Sequence, residues 1–505
     1  MASITHSETS GLSLAPARPW LWLVLGGMVA LLAVDGRFDV PLAAWIAPAL
    51  LLRFSRTSRP APAIAGVVVA AGLQMAVYML EAAAPFTPIA IVLCLVLGLL
   101  FAIPYILDRL VGGRLSSPAR LLLMPLAWVM TEFAAASLLP VGTAIGTRAV
   151  TQAETLALMQ VISLFGPYAI GFLIALIATA ANQVWERPTR ASLIRYGGAA
   201  AVVLAAVLAF GEARLMQSSA AAPGPTVKIA GVVPPTALRG PAWAGVTMAN
   251  WPPSAAARAA VATPRARAAY ARVQDRLLAD TQAAARSGAK IVQWSETGAP
   301  VLEADKPALL ARVAALARVE GIYINAAIGV PFERNETYLF APDGRQLWHY
   351  RKNHPVPGME PVAPFKGPAP VADTPYGRLS SIICYDGDFP PLARAKADIL
   401  LLPGWDWPEM GHVHTMRLAR LRAIENGYAL VRIDYQGVSG AFDPYGRVLA
   451  SQNTLPGEAY TLLVDVPTKG VTTLYGMTGD LFVWLCVLAT LGLCGLGMVR
   501  RRGGA

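Results

Sequence analysis

The pattern of hydrophobic and polar positions divides the chain into two parts. Between residues 20 and 211, apolar runs of about 15 to 25 residues alternate with short polar segments, and each run can cross a bilayer core of roughly 30 Å as a helix. We predict seven spans there and an eighth near the end of the chain, at 20–34, 40–54, 61–80, 88–107, 119–138, 158–184, 194–211 and 479–498. The first part is therefore predicted to be an α-helical membrane bundle.

The second part, residues 212–475, has a different pattern. Short apolar runs alternate there with Arg, Asp, Glu and Pro, which predicts an α/β domain of about 260 residues. Within it, the Ala-rich stretch 254–287 predicts one surface helix, and 221–226 predicts a linker. The predicted organisation is an N-terminal tail (1–19), the seven-span bundle (20–211), the α/β domain (212–475), an eighth helix (476–499) and a C-terminal tail (500–505).

Composition and charge add an orientation. The chain has 505 residues, of which 55% are hydrophobic and 14% charged, and the mean hydropathy of +0.48 is too high for a soluble enzyme of this size. The net charge is +11, and much of the excess follows the even-numbered spans and ends the chain, at Arg53, Arg56, Arg59, Arg109, Arg114, Arg120, Arg187, Arg190, Arg195, Arg500, Arg501 and Arg502. By the positive-inside rule both tails are cytoplasmic and the α/β domain lies outside, in the periplasm of a Gram-negative cell whose inner membrane holds the bundle. No basic stripe interleaved with aromatic residues is present, so we expect no nucleic-acid partner.

Four cysteines occur, and one differs from the others in context. Cys94, Cys486 and Cys494 fall in predicted spans, where a thiol behaves as a small hydrophobic group. Cys384 is the only cysteine of the predicted outer domain, so it has no disulfide partner there although exported cysteines usually pair. It is either buried and inert or retained for its chemistry.

Three strand-like runs in the α/β domain each end in a reactive group. They are 289–298, 345–354 and 378–387, with Glu296, Lys352 and Cys384 at their ends. Seen singly, a glutamate there is commonly a helix cap and a lysine a solvated edge charge. Together they form a usable nucleophile, because the glutamate can take the thiol proton while the lysine and backbone N–H groups stabilise the anions that form.

The histidines offer two competing interpretations. His412 and His414 have the spacing of two metal ligands on a strand, but no third or fourth ligand is evident, so we expect no metal and no cofactor. His354 could pair with the cysteine as a dyad. We favour Glu296 as the base because the ordered set of three explains more of the sequence.

The order Glu, Lys, Cys with these flanks resembles the nitrilase, or carbon-nitrogen hydrolase, superfamily. The matching pieces are "WSETG", "YRKNH", "ICYDGDFPPLAR" and the stretch 420–450, so the resemblance covers most of 225–465. It implies an α-β-β-α sandwich and thioester chemistry, with Glu296 as general base, Lys352 as stabilising cation and Cys384 as nucleophile. Glu360 in "PGMEP" matches an additional active-site glutamate, and Asn335 matches an asparagine near the pocket.

The arrangement of seven spans, an outer domain and one further span resembles the apolipoprotein N-acyltransferase branch of that superfamily. The junction 470–485 adds to the resemblance, with Thr473, Tyr475, Gly479 and Asp480 in matching positions. The resemblance implies a ping-pong reaction in an integral membrane protein, which we expect to be a monomer. An acyl chain passes from a phospholipid to Cys384 and then to the α-amino group of a diacylated apolipoprotein.

Residues around the three reactive groups are candidates for substrate binding or for a lid. Tyr385 and Asp386 directly follow the nucleophile, and the segments 239–253 and 403–411 are rich in aromatic residues. They contain Trp243, Trp405 and Trp407, for which ordinary packing within the domain is an equally good interpretation.

A second function stays open because several loops differ from the acyltransferase pattern. Asp386, for example, stands where the acyltransferases usually carry Glu. A membrane-tethered amidase, or an acyltransferase with a different acceptor, is therefore the alternative. A channel or transporter is disfavoured because the predicted spans contain few charges that would mark a transport path.

Overall fold

The computed structural model describes residues 18–84, 87–139, 142–143, 146–220, 224–455 and 457–502. The predicted N-terminal tail up to residue 17, residues 221–223 of the predicted linker and the last three residues lie outside the described residues.

The first part of the chain is helical. Its helices are α1 (Pro19–Ala30), α2 (Pro41–Thr57), α3 (Pro60–Glu81), α4 (Pro88–Val111), α5 (Ser117–Leu138), α6 (Leu156–Met159), α7 (Ile162–Phe165), α8 (Tyr168–Glu186), α9 (Arg190–Ser192) and α10 (Ala199–Ala220). Among the described residues, six helices are long and apolar enough to cross a membrane: Pro60–Glu81, Pro88–Arg114, Ser117–Leu138, Tyr168–Glu186, Arg190–Ser219 and Leu481–Val499. Helices α1 to α5 each begin with a proline at the first or second position, where the missing N–H costs no hydrogen bond.

The predicted sixth span at 158–184 is not one helix. The chain ends α7 at Phe165, turns at Gly166 with φ of 76°, and begins α8 after Pro167. Glycine adopts this left-handed conformation without steric cost, and the Tyr475 ring packs against it so closely that a side chain would collide. The span is therefore α8 alone, preceded by two short helices.

The second part is an α/β domain of two sheets, followed by one long helix. Its elements are β1 (Thr226–Val233), α11 (Thr236–Ala242), α12 (Ala255–Val261), α13 (Pro264–Arg286), β2 (Ile291–Trp294), β3 (Ala299–Pro300), α14 (Lys306–Glu320), β4 (Tyr323–Val330), β5 (Arg334–Phe340), β6 (Gln346–Arg351), β7 (Val371–Thr374), β8 (Gly377–Ser381), α15 (Pro390–Ala393), β9 (Ile399–Trp405), α16 (Arg420–Asn426), β10 (Ala429–Tyr435), β11 (Val438–Phe442), β12 (Val448–Asn453), β13 (Tyr460–Pro467), α17 (Leu474–Thr478) and α18 (Leu481–Arg502).

The predicted single helix at 254–287 is two helices, α12 and α13. Thr263 interrupts it, because its side chain accepts a hydrogen bond from the Ala266 N–H and so caps a new helix that starts at Pro264.

The two sheets have parallel centres and antiparallel edges. The first has the order β13-β1-β2-β4-β5-β6, with β3 paired to β4, and the second has the order β12-β11-β10-β9-β8-β7. Strands β1, β2 and β4 run parallel in the first sheet, as do β8, β9 and β10 in the second. Fully buried side chains such as Ile229, Ile291, Leu400 and Val431 fill the space between the sheets. Helices α13 and α14 cover the outer face of the first sheet, and α16 with the segment leading into it packs on the second. The resulting layers are α-β-β-α.

The layer that covers the second sheet also packs on the membrane bundle. Val413, Leu418 and Leu421 share one buried cluster with residues of α2, α7 and α8. Hydrogen bonds join the two parts as well: Trp407 Nε1 donates to the Ala82 carbonyl at 2.7 Å, and the Thr143 N–H donates to the Asp388 carbonyl at 2.7 Å. The α/β domain is therefore held against the bundle at this face.

Candidate active site

The three predicted reactive residues lie at the carboxyl ends of strands. Glu296 follows β2, Lys352 directly follows β6, and Cys384 follows β8. The two sheets meet at this edge, where the Glu296 N–H donates to the carbonyl of Gly404 at the end of β9. The fold therefore brings side chains from both sheets to one place.

Lys352 is fully buried between two glutamates. Its Nζ lies 2.7 Å from Glu296 Oε1 and also pairs with Glu360 Oε1, while Asn335 Nδ2 donates to Glu296 Oε1 at 2.6 Å. Burial alone would lower the pKa of Lys352, but the two carboxylates hold it well above its ordinary value. The lysine is therefore a fixed positive charge, and Glu296 is held in one orientation by two donors.

Cys384 begins a 3₁₀ turn, Cys384–Asp388, with a φ of 48°. A non-glycine residue in this region is strained, and such strain is common where a side chain must be presented in a pocket. The thiol donates to the Trp405 carbonyl with a sulfur to oxygen distance of 3.8 Å. It also lies 3.7 Å from Nη2 of Arg432, which donates to it.

The thiol is protonated at rest. Burial raises the pKa of Cys384 well above its ordinary value, and the Glu296 carboxylate raises it further, whereas Lys352 and Arg432 oppose the shift. A protonated thiol is a weak nucleophile, so attack needs a base that takes the proton as the new bond forms. Glu296 is the carboxylate whose charge acts most strongly on this thiol.

Asp386, which the sequence suggested for substrate contact, holds the turn in place. It is fully buried, and its oxygens accept from the Tyr350 hydroxyl at 2.7 Å, from the His354 N–H at 2.8 Å and from His354 Nδ1 at 3.0 Å. It also accepts from the Asn353 N–H at 3.1 Å. These bonds join the nucleophile turn to the loop after Lys352, so Asp386 sets the position of Cys384 relative to the lysine.

A cavity of about 550 Å³ connects Cys384 to the membrane bundle. One wall comes from the facing ends of α3 and α4, including Met79, Ala82, Ile89 and Leu93, and is apolar. The opposite wall contains Cys384, Tyr385 and Trp407 together with Asp388, Asp406, His414, Arg422 and Arg432. A cavity of this size suits a ligand of tens of atoms, and its apolar side faces the helices that can span the membrane.

The other two predicted lid residues lie elsewhere. The rings of Trp243 and Trp405 are 6.1 Å apart, and Trp405 also packs on the guanidinium of Arg239 at 4.4 Å. Neither tryptophan lines the cavity, and neither do Glu360 and Asn335. Trp407 does line it, so only part of the predicted lid lies at this cavity.

Two buried arginines support the site, and sequence reasoning missed both. Arg239 Nη2 donates to the Glu296 carbonyl at 2.8 Å, and burial lowers the pKa of Arg239 to about 10. Arg432 is held by Asp406 at 2.8 Å and by Asp434 at 2.9 Å. The sequence did contain a signal for Arg432 and Asp434. They are two residues apart in the apolar run "ALVRIDY", so in a strand both lie on the same side and are buried together. Arg239 carried no such signal.

A two-sheet α/β sandwich with glutamate, lysine and cysteine at its strand ends, joined to a helical membrane region, defines a class: membrane-associated enzymes with a carbon-nitrogen hydrolase domain. The family model "Carbon-nitrogen hydrolase" matches residues 247–474, and the model "Apolipoprotein N-acyltransferase N-terminal domain" matches residues 26–180. The two matches, together with relatives named apolipoprotein N-acyltransferase along most of the chain, support an N-acyltransferase of the nitrilase superfamily and therefore an acyltransferase enzyme.

Relatives of known name are similar to this chain over much of its length. An apolipoprotein N-acyltransferase of Geobacter metallireducens is 27% identical, over 96% of this chain and 96% of its own length. One of Bradyrhizobium diazoefficiens is 28% identical, over 69% of this chain and 67% of its own length. Among solved structures, an amidase from Nesterenkonia sp. is 20% identical with a TM-score of 0.37, over 50% of this chain and 94% of its own.

Proposed function

We propose that the protein transfers an acyl chain from a membrane phospholipid, through a thioester on Cys384, to the α-amino group of the N-terminal diacylglyceryl cysteine of lipoproteins. The observation that carries this proposal is the cavity that runs from Cys384 to the apolar ends of α3 and α4. A phospholipid chain gains roughly 0.8 kcal/mol per methylene by staying in an apolar environment. A nucleophile that acts on it must therefore be reached through an apolar passage from the bilayer.

In the first half-reaction Glu296 takes the proton of Cys384 as the sulfur attacks the ester carbonyl carbon. The buried ammonium of Lys352 stabilises the oxyanion of the tetrahedral intermediate, and Glu360 keeps that ammonium in place. The C–O bond then breaks, and Glu296 returns the proton to the leaving lysophospholipid oxygen. The product is an acyl thioester in a cavity whose apolar wall excludes water.

In the second half-reaction an amine attacks the thioester carbonyl. A C–N bond forms, the C–S bond breaks and the thiol of Cys384 is regenerated. Trp407 and Tyr385 line the cavity in which both substrates react, and we propose that they contact the acyl chain. Trp405 acts from the other side, by packing on Arg239 and so fixing the segment that carries Glu296, and Trp243 packs on Trp405.

The same proposal includes a place in the cell. We propose that α1 and α2 cross the membrane together with the six longer helices, which gives about eight spans, and that the protein is a monomer. Both tails then face the cytoplasm, and the domain 212–475 faces the periplasm of the inner membrane. The arginines that follow the even-numbered predicted spans support this orientation.

The test is the intact mass of the purified protein after incubation with phospholipid in detergent, followed by a chase with a diacylated lipopeptide or with buffer. We expect a mass gain of one acyl chain that is lost rapidly with the lipopeptide and slowly with buffer. Cys384→Ser, Glu296→Gln and Lys352→Ala should each abolish the gain. An adduct that water removes as fast as the lipopeptide would instead identify a membrane-tethered amidase, and discharge by other amines alone would identify a different acceptor.

A further inference from the structure

One carboxylate on the cavity wall has no partner among the described residues. Asp388 ends the 3₁₀ turn that Cys384 begins, lines the same cavity and is 6% exposed. Its backbone carbonyl accepts from the N–H and the hydroxyl of Thr143, at 2.7 and 2.9 Å. Within the part of the chain that the structure describes, no hydrogen bond or ion pair engages its side-chain oxygens. The exposed part of Asp388 faces the cavity that it lines, so a ligand in the cavity can donate to this carboxylate.

Most of the neighbouring charges are paired with one another. Arg432 is neutralised by Asp406 and Asp434, and Arg422 pairs with Glu425 at 2.8 Å. Asp406 also accepts from His414 at 2.6 Å. Asp388 is the carboxylate on this wall that takes part in none of these pairs. Burial raises the pKa of Asp388, whereas the charges of His414 and Arg422 lower it.

A cationic hydrogen-bond donor fits this carboxylate better than a metal ion does. In the described part of the chain no group of three or more His, Cys, Asp or Glu side chains could hold a metal ion. A primary ammonium needs one carboxylate and carries three donors. It would also lie in the cavity that contains the thiol to which, on the proposed function, an acyl chain is attached.

We propose that Asp388 binds the α-ammonium group of the acyl acceptor and takes its proton. The inference rests on the proposed function, which it deepens by naming the residue that recognises the acceptor amine.

The proton balance of the transfer step follows from this placement. The ammonium gives one proton to the Asp388 carboxylate, and the free lone pair of the nitrogen forms the C–N bond to the thioester carbonyl. As the C–S bond breaks, a second amine proton passes to the Cys384 sulfur and restores the thiol. The amide keeps the third proton, and Asp388 releases its own to water after the product leaves.

The first experiment loads Cys384 with an acyl chain and compares two nucleophiles by intact mass. The diacylated lipopeptide has an ammonium that must be deprotonated, whereas hydroxylamine is already unprotonated at neutral pH. We expect Asp388→Asn to slow discharge by the lipopeptide relative to discharge by hydroxylamine. The ratio of the lipopeptide rate to the hydroxylamine rate should fall by about tenfold or more, because a hydrogen bond to a charged group is lost. Asp373→Asn, at an exposed carboxylate on β7, is the matched control and should leave the ratio unchanged. Asp388→Ser replaces the asparagine variant if the latter does not purify.

The second experiment needs no turnover. In a Cys384→Ala background, binding of the lipopeptide with a free α-amine is compared with binding of its N-acetylated form, with and without Asp388→Asn. We expect the preference for the free amine to disappear with the carboxylate. An unchanged rate ratio and an unchanged preference would overturn the role of Asp388. If the wild-type protein forms no thioester, the proposed function fails, and the binding comparison still decides whether Asp388 recognises an amine.

Discussion

Replacing Lys352 by methionine separates its structural role from its chemical role. The ammonium is buried between Glu296 and Glu360, so its removal leaves two adjacent carboxylates without their counter-ion. Breaking a buried pair in this way costs about 3–5 kcal/mol. For a domain of roughly 150–250 residues, 1 kcal/mol shifts the midpoint by about 2–4 °C, so we expect a fall of roughly 6–20 °C in the thermal unfolding of the detergent-solubilised protein.

The double variant Lys352→Met with Glu360→Gln decides between the two roles. Removing one carboxylate relieves the repulsion, and we expect it to recover about 0.5–3 kcal/mol of the lost stability. Thioester formation should stay about 10² to 10³-fold below wild type in both variants, because no cation remains for the oxyanion. Lys366→Met, at an exposed position, is the control for loss of a lysine. Wild-type stability in the single variant, or renewed acylation in the double variant, would refute this account.

Further predictions concern the turn, the thiol, the bundle and the orientation. Asp386→Asn places an amide against the backbone donors of residues 353 and 354, so both the melting midpoint and thioester formation should fall; unchanged values would contradict its positioning role. Because burial raises the pKa of Cys384 above that of a free thiol, about 8.5, its alkylation by iodoacetamide should stay slow at neutral pH and accelerate above pH 9. For the same reason the thiol's contribution to stability is complete below about pH 8.5 and is lost as the pH rises through the folded-state value; a pH-independent alkylation rate would count against this. Gly166→Val should lower the melting midpoint, whereas Gly113→Val, which meets no neighbour, should change it less. Protease added to spheroplasts should cleave within the domain 212–475, and cleavage confined to inverted vesicles would reverse the orientation.

The sequence was most informative where a local motif determines a local geometry. Glu296, Lys352 and Cys384 each follow a short apolar run that forms a strand, and parallel strands of stacked sheets deliver such residues to one edge. Asp386 shows the limit of that reasoning. Its proximity to Cys384 along the chain suggested contact with substrate, but in a tight turn a neighbour two residues away points elsewhere, and here it accepts hydrogen bonds from the lysine loop.

Features that depend on distant parts of the chain could not be read in the same way. The cavity is closed by the ends of α3 and α4, about 300 residues from Cys384, and nothing in either segment alone indicates the other. Arg239, which donates a hydrogen bond to the Glu296 carbonyl, lies 57 residues before Glu296 in the sequence. The break at Gly166 was missed because the apolar pattern continues through it, although the pair Gly166–Pro167 is a recognisable turn signal.

The hydrogen bonds between the bundle and the domain have a consequence for biosynthesis. Thr143 is synthesised 245 residues before its hydrogen-bond partner Asp388, and Ala82 is synthesised 325 residues before Trp407. At about 5–20 residues per second, ribosomes need roughly 12 to 65 s to make the missing partners. During that interval the segments around Ala82 and Thr143 have no domain to bind. The newborn chain is therefore most exposed to quality-control proteases at these loops, and substitutions there would lower its abundance before they lower its activity.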